Sequence, residues 1–322
     1  MFSGYATSNY GTTIRRKQTL RTLVLLILLA LILVGAVLLI SVQKSRTSKD
    51  QRDLVTLWQK DNYRDVFKQS ADLLEKKPLD YFLLSIHGFS AYQLAVAQIN
   101  NADMNYYLDA CIWALRNALT GKEHSRDARI FYVLGKAYYS KGADYAELAI
   151  HYLELAKKAG FNADDIPEYL GLSYALVKDY RMSIASFSEA LPKGFDSKKE
   201  KIGGPNDALL LAIAKSYVEL AEYDTASAYL AHCLEVSKDF NTIARARLLL
   251  GNIMLKEGRE SEAEQQYLSV LKEGGEMAEA RFWLGELYLL RKETTRARAE
   301  WRKAHNIDPD YTPAKARLGM AN

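Results

Sequence analysis

The sequence predicts an all-α protein, a solenoid of about seven helix-turn-helix repeats preceded by one transmembrane helix. Three observations predict it. The dipeptide Leu-Gly returns every 34 residues, at Leu250-Gly251, Leu284-Gly285 and Leu318-Gly319. Small and aromatic residues follow the dipeptides at matching offsets. An uncharged apolar run, LVLLILLALILVGAVLLISV, occupies residues 23–42. With only six prolines in 322 residues, long helices meet few breaks.

The first element is a short basic tail, residues 1–22, holding Arg15, Arg16, Lys17 and Arg21 and no acidic residue. Of 43 basic and 39 acidic residues, the remainder of the chain therefore keeps 39 of each. A neutral array lacks the basic face that nucleic-acid binding requires. The run 23–42 would span about 30 Å as a helix, the thickness of a hydrocarbon core. It exceeds the apolar stretch of a signal peptide, and no A-x-A site or lipid-accepting cysteine follows it, so it reads as an uncleaved anchor. Lys44, Arg46, Lys49 and Arg52 behind it match the four basic residues ahead of it. The compact, acid-free tail favours a cytoplasmic N-terminus, and long C-terminal domains translocate largely regardless of charge. The expected location is the inner (cytoplasmic) membrane of a bacterium, single-pass, with the array in the periplasm. Residues 43–53, QKSRTSKDQRD, form a charged linker.

The array fills residues 54–322. Residues 128–311 carry strong repeats, residues 54–121 degenerate ones, and residues 313–322 a capping helix. In ARFWLGELYLLRKETTRARAEWRKAHNIDPDY, Leu284, Gly285 and Tyr288 are followed by Ala297, Trp301, Ala304 and Pro309. The unit before it holds Leu250, Gly251, Met254, Ala263, Tyr267 and Val270. Upstream lie Leu134, Gly135 and Tyr138, then, after two extra residues, Ala149, Leu153 and Ala156. Leu170, Gly171 and Tyr174 lead to Phe187 and Ala190. Ala214 replaces the glycine in the next unit, with Tyr217, Ala226, Leu230 and Cys233 in register. The two earliest units are fainter: DNYRDVFKQSADLLEKKP fits a second helix, and FLLSIHGFSAYQLAVA with YYLDACIWALRNAL fits a helical pair.

These spacings resemble the tetratricopeptide repeat (TPR). The resemblance implies stacked helix pairs that jointly bury the apolar face no single pair can cover. Glycine and alanine then mark tight helix crossings, and tyrosine and tryptophan fill the gaps, which accounts for most of the 21 tyrosines without chemistry. Pro313 to Asn322 begins an eighth unit in phase and supplies only a short first helix, an incomplete cap whose end could also dock a partner. The polar stretch GFDSKKEKIGGPND, Gly194 to Asp207, reads as a solvated loop.

The resemblance further implies a concave groove for a segment of another protein or a neighbouring scaffold subunit. Mapped onto this chain, the family's groove positions fall on Arg129, Tyr132, Lys136 and Tyr139 in repeat three and Leu172 in repeat four. Repeat five contributes Lys215, and repeat six Arg245, Asn252 and Lys256. This set suits an acidic or C-terminal segment, with the rings packing apolar side chains. Equally, the same residues could line a wet inner surface. Asn252 alone does not reproduce the family's carboxylate clamp, so that ligand is not carried over.

No enzyme chemistry is expected. Cys111 and Cys233 read as buried thiols in different units, without metal or redox spacing. His87, His124, His151, His232 and His305 form no triad or ligand set, and neither Gly203-Gly204 nor Gly274-Gly275 precedes a phosphate-loop Lys-Ser/Thr. No catalytic residue, cofactor, metal, small-molecule substrate or nucleic acid is assigned. The layout resembles membrane-anchored bacterial TPR scaffolds, among them the spirochaete periplasmic flagellar collar proteins. It implies an adaptor in the assembly of an envelope complex, such as the flagellar motor collar. The alternative is a transient assembly factor or chaperone-like binder at the secretion machinery.

Overall fold

Helix starts are written into the chain by asparagine and aspartate. The side chains of Asn62, Asp80, Asn100, Asp127, Asp179, Asn206 and Asp239 each accept a backbone N–H of the first turn that follows. Each satisfies a donor that the helix itself leaves open. A computed structural model of the protein describes residues 49–121, 126–191 and 206–320. The basic tail, the anchor 23–42 and the linker up to residue 48 lie outside the described residues, as does the insertion from Gly194 through residue 205. Among the described residues no helix is long and apolar enough to cross a membrane.

The described residues form fifteen α-helices and no strand. Helices α1 (residues 49–59) and α2 (Tyr63–Leu74) make the first hairpin, and α3 (Tyr81–Val96) and α4 (Asn101–Ala118) the second. The next are α5 (Ala128–Lys141) with α6 (Ala146–Lys158), and α7 (Ile166–Leu176) with α8 (Tyr180–Ala190). Then come α9 (Asp207–Glu219) with α10 (Tyr223–Val236), and α11 (Phe240–Lys256) with α12 (Glu260–Gly274). The last hairpin is α13 (Ala278–Leu290) with α14 (Thr294–Ile307), closed by α15 (Thr312–Leu318). Seven hairpins form, and α1 starts inside the stretch 43–53 that the sequence reads as a linker, because residues 49–53 continue the helix that buries Leu54. The two extra residues of the third unit are absorbed by a 3-10 turn, Ala143–Tyr145, ahead of α6.

The recurring glycine has one packing role. A Cβ at Gly171 would lie 2.5 Å from the Phe187 ring, and one at Gly285 would lie 2.4 Å from the Trp301 indole. Gly135 beneath Leu153 and Gly251 beneath Tyr267 repeat the arrangement. The final Leu-Gly behaves differently. Gly319 meets nothing within 4 Å and adopts φ +73°, so it ends α15 as a left-handed cap. The in-phase dipeptide has become a stop signal.

Turns within hairpins share a second device. Asp61, Lys178, Ala221, Gly258 and Lys292 all adopt left-handed φ values between 55° and 76°. The next residue donates its N–H back across the turn, as in Asp179 to Tyr174 O (2.9 Å) and Glu222 to Tyr217 O (3.0 Å). Consecutive first helices then approach one another, α3 to α5, α5 to α7, α7 to α9, α9 to α11 and α11 to α13. Consecutive second helices do not come as close, so the first helices form the inner wall of a curved stack. Cys111 and Cys233 are both buried and free, in α4 and α10. At the C-terminal end α15 buries Ala314, lays Leu318 on the last core cluster and ties Arg317 to Glu286 of α13 at 2.8 Å.

Gly171→Leu is expected to overpack the α7–α8 crossing and destabilise the array by about 1–3 kcal/mol. Ala221→Gly, which relieves a left-handed alanine, is expected to stabilise it by up to about 1 kcal/mol. Urea unfolding followed by circular dichroism reads both, and a neutral Gly171→Leu would contradict the crossing geometry.

Candidate functional site

One position after each packing glycine or alanine, the first helices carry Lys136, Leu172, Lys215, Asn252 and Glu286 in equivalent places. Six positions before it they carry Arg129, Asp165, Arg245 and Glu279. The inner wall is therefore mixed in sign. Asp165, Glu279 and Glu286 occupy the same repeat positions as the basic residues that the sequence singles out, and their register was legible.

The N-terminal part of the wall is committed to itself. Lys136 Nζ lies 2.8 Å from Asp165 Oδ2 and 3.0 Å from the Tyr132 hydroxyl. It also sits 4.5 Å from the Tyr169 ring centroid, 4.9 Å from Tyr132 and 5.9 Å from Tyr92. Only 14% of the side chain is exposed. Burial alone would depress its pKa, but Asp165 and the Tyr132 hydroxyl outweigh that and raise it, keeping the ammonium charged. Asp165 also accepts the Tyr132 hydroxyl at 2.8 Å, and Tyr139 meets Tyr169 edge to face at 5.2 Å. Tyr132, Lys136 and Tyr139 thus join α5 to α7 through an aromatic cage that their own lysine fills. Sequence spacing named three of its members and missed Tyr92, Asp165 and Tyr169.

Arg129 is likewise engaged. Its guanidinium grips Asp127, the cap of α5, at 3.1 and 2.7 Å, and Asp127 also accepts the Tyr81 hydroxyl from α3. Burial would raise the Asp127 carboxyl, but Arg129 and Tyr81 pull it down to about 2. Farther along, Asn252 accepts the Tyr267 hydroxyl at 2.7 Å, and Lys256 reaches the Tyr223 hydroxyl at 3.3 Å above that ring.

Lys215 and Arg245 differ. Both are exposed, and neither makes a hydrogen bond or ion pair to a described residue. Burial of its surroundings and the neighbouring Arg245 charge lower the Lys215 pKa, with Glu279 opposing. Leu172, on the adjoining first helix, packs its side chain against the core beneath α9. Here two like charges stand near each other on neighbouring first helices, faced by Glu279 and Asp239 without a direct ion pair to either. Among the described residues no cluster of three or more His, Cys, Asp or Glu could hold a metal ion.

No protein-family model matches the sequence, and no curated protein matches it. Solved structures do. The C-terminal part of a TPR repeat-containing protein from Cytophaga hutchinsonii superposes with a TM-score of 0.55 at 17% identity, covering 84% of this chain and 100% of that one. The fold is that of tetratricopeptide-repeat proteins. A TPR protein from Parabacteroides merdae gives 0.55 at 15% identity over 84% of this chain and 98% of its own. PilW, a type IV pilus biogenesis factor, gives 0.53 at 15% over 72% and 98%. At these identities the likeness speaks for the TPR architecture, and the wall described above is this chain's own.

A carboxyl depressed on folding contributes stability above its ordinary pKa and loses it as pH falls toward the folded value. Acidification from about pH 4 to about pH 2 is therefore expected to remove the contribution of Asp127. Asp127→Asn should be less stable near neutrality and less sensitive across that window, as read by acid unfolding. A parallel acid titration of variant and parent would contradict the assignment.

Proposed function

We propose that the chain is a non-catalytic scaffold that holds an acidic segment of another protein against its inner wall at a bacterial inner membrane. The observation that carries this reading is the like-charged Lys215–Arg245 pair, which faces Glu279 but makes no ion pair or hydrogen bond to a described residue, so that a partner's carboxylate would relieve its repulsion. Lys136, Tyr132 and Arg129 organise the wall instead of contacting the segment, because each is already bonded inside the array.

The membrane part of the proposal rests on residues 23–42 and the acid-free tail ahead of them, with the array in the periplasm. The seven-hairpin array favours a permanent part of an envelope machine, the flagellar motor collar being the one we favour. PilW, which has the same fold, is a pilus biogenesis factor, so the assembly-factor reading is kept as the second one. Detergent purification after in-cell crosslinking separates the two. A fixed stoichiometry with one large complex supports the scaffold, and fractional, salt-sensitive recovery of many partners supports the assembly factor. Labelling of Ser197→Cys by an impermeant thiol reagent in cells with a permeabilised outer membrane tests the side, and protection there would place the array in the cytoplasm.

For the wall itself, Lys215→Glu with Arg245→Glu is expected to weaken binding of the crosslinked partner by about tenfold or more and to flatten its salt dependence. Lys136→Met should lower stability while leaving the salt slope unchanged. An unaltered affinity in the Lys215/Arg245 variant would remove the basic-wall reading.

A further inference from the structure

A second surface lies away from the inner wall, where α4 ends and α5 and α6 meet. Leu119, Phe131, Tyr152 and Leu155 line a half-open cleft of about 670 Å³. Phe131 is buried and the other three are partly buried, so they make the floor. Arg126, His151 and Lys158 are exposed and make the rim. No described carboxylate lines the cleft.

Several charges elsewhere on the surface are matched, as in Lys157 with Glu189 (2.6 Å), Lys141 with Asp109 (2.7 Å) and Arg259 with Glu262 (2.7 Å). Arg126, His151 and Lys158 have no hydrogen bond or ion pair to any described residue. The floor is also held in place. Tyr152 stacks on Tyr138 at 5.6 Å and 11°, Tyr138 stacks on Tyr145 at 6.1 Å, and Phe131 leans on Tyr152 at 6.2 Å. A row of rings therefore runs from the cleft to the α5–α6 turn and fixes the shape a ligand would meet.

We propose that this cleft anchors a second segment of a partner protein, one that carries an aromatic side chain flanked by carboxylates. The ring would lie on Phe131 and Tyr152 between Leu119 and Leu155. The carboxylates would reach the Arg126 guanidinium, whose planar fork takes them in two parallel bonds, and the Lys158 ammonium. A half-open cleft suits one anchored side chain of a longer segment, whereas small-molecule pockets enclose most of their ligand. Nucleic acid would need a longer basic track than two full charges on a chain that holds 39 basic and 39 acidic residues beyond its N-terminal tail. Because the cleft sits on the second-helix side, it can be filled while the inner wall is occupied.

A fluorescein-labelled heptapeptide alternating aspartate with phenylalanine tests this by anisotropy against the full chain carrying Lys215→Glu and Arg245→Glu, which silences the inner wall. Binding is expected, and adding Arg126→Glu and Lys158→Glu should weaken it by about tenfold or more. The counterpart peptide with lysine for aspartate should bind correspondingly more weakly. All four substitutions are at exposed positions, and circular dichroism confirms the fold. Equal affinity with and without Arg126→Glu and Lys158→Glu, or no binding to the wall-silenced chain, overturns the proposal. A gain in affinity on Glu123→Gln would show the cleft to be served by the chain's own carboxylate, which also overturns it. Failure of the inner-wall reading would leave this outcome untouched, since the wall is silenced throughout.

Discussion

Two helices of one hairpin can pack this closely only where one of them has little or no side chain at the crossing. In four of the seven hairpins a glycine of a Leu-Gly pair sits under a large side chain of the second helix, Leu153, Phe187, Tyr267 or Trp301. The bulky residue fills the space that the glycine vacates, so the pair keeps a dense core at short interaxial distance. Everything larger follows from that approach. It sets the hairpin angle, which sets how the next hairpin stacks, which brings the first helices together on one wall.

Between hairpins the cement is both apolar and polar. Core clusters run across several units, from Leu54 in α1 to Ala149 in α6 and again from α11 to α14. Polar links bridge residues about one repeat apart. Tyr132 meets Asp165, Ser183 meets Ser216 at 3.0 Å, and Arg291 clasps both Glu260 and Glu264 of the preceding hairpin. Such links satisfy buried polar groups and fix the register of one hairpin on the next. They also consume side chains that would otherwise face a ligand.

That consumption explains the shape of the candidate site. Lys136 looks in sequence like a free groove cation and is in fact enclosed by three tyrosines and Asp165. Lys215, at the same position of a later repeat, is enclosed by no such cage, and Glu279 only opposes the Arg245 charge beside it. Equivalent positions in a repeat protein thus carry opposite roles. What a residue does depends on the adjoining unit, and the unit itself does not reveal it.

The sequence by itself determined the α class, the period, the seven hairpins and the short terminal helix, because these rest on local spacing repeated along one chain. Leu-Gly at 34 residues marks a crossing wherever a bulky residue follows on the second helix, and the asparagine and aspartate caps mark the starts. Tertiary structure alone decided which wall residues are free. Whether Lys136 or Lys215 is held in a direct ion pair depends on carboxylates such as Asp165 and Glu279, which come from other hairpins. It also decided that Gly319 ends a helix when Gly285 packs one, since among the described residues no side chain lies over Gly319. The same cause lies behind the cleft under Arg126 and Lys158, which exists only where three helices meet. Spacing along a chain records contacts within a unit, and charge balance is struck between units.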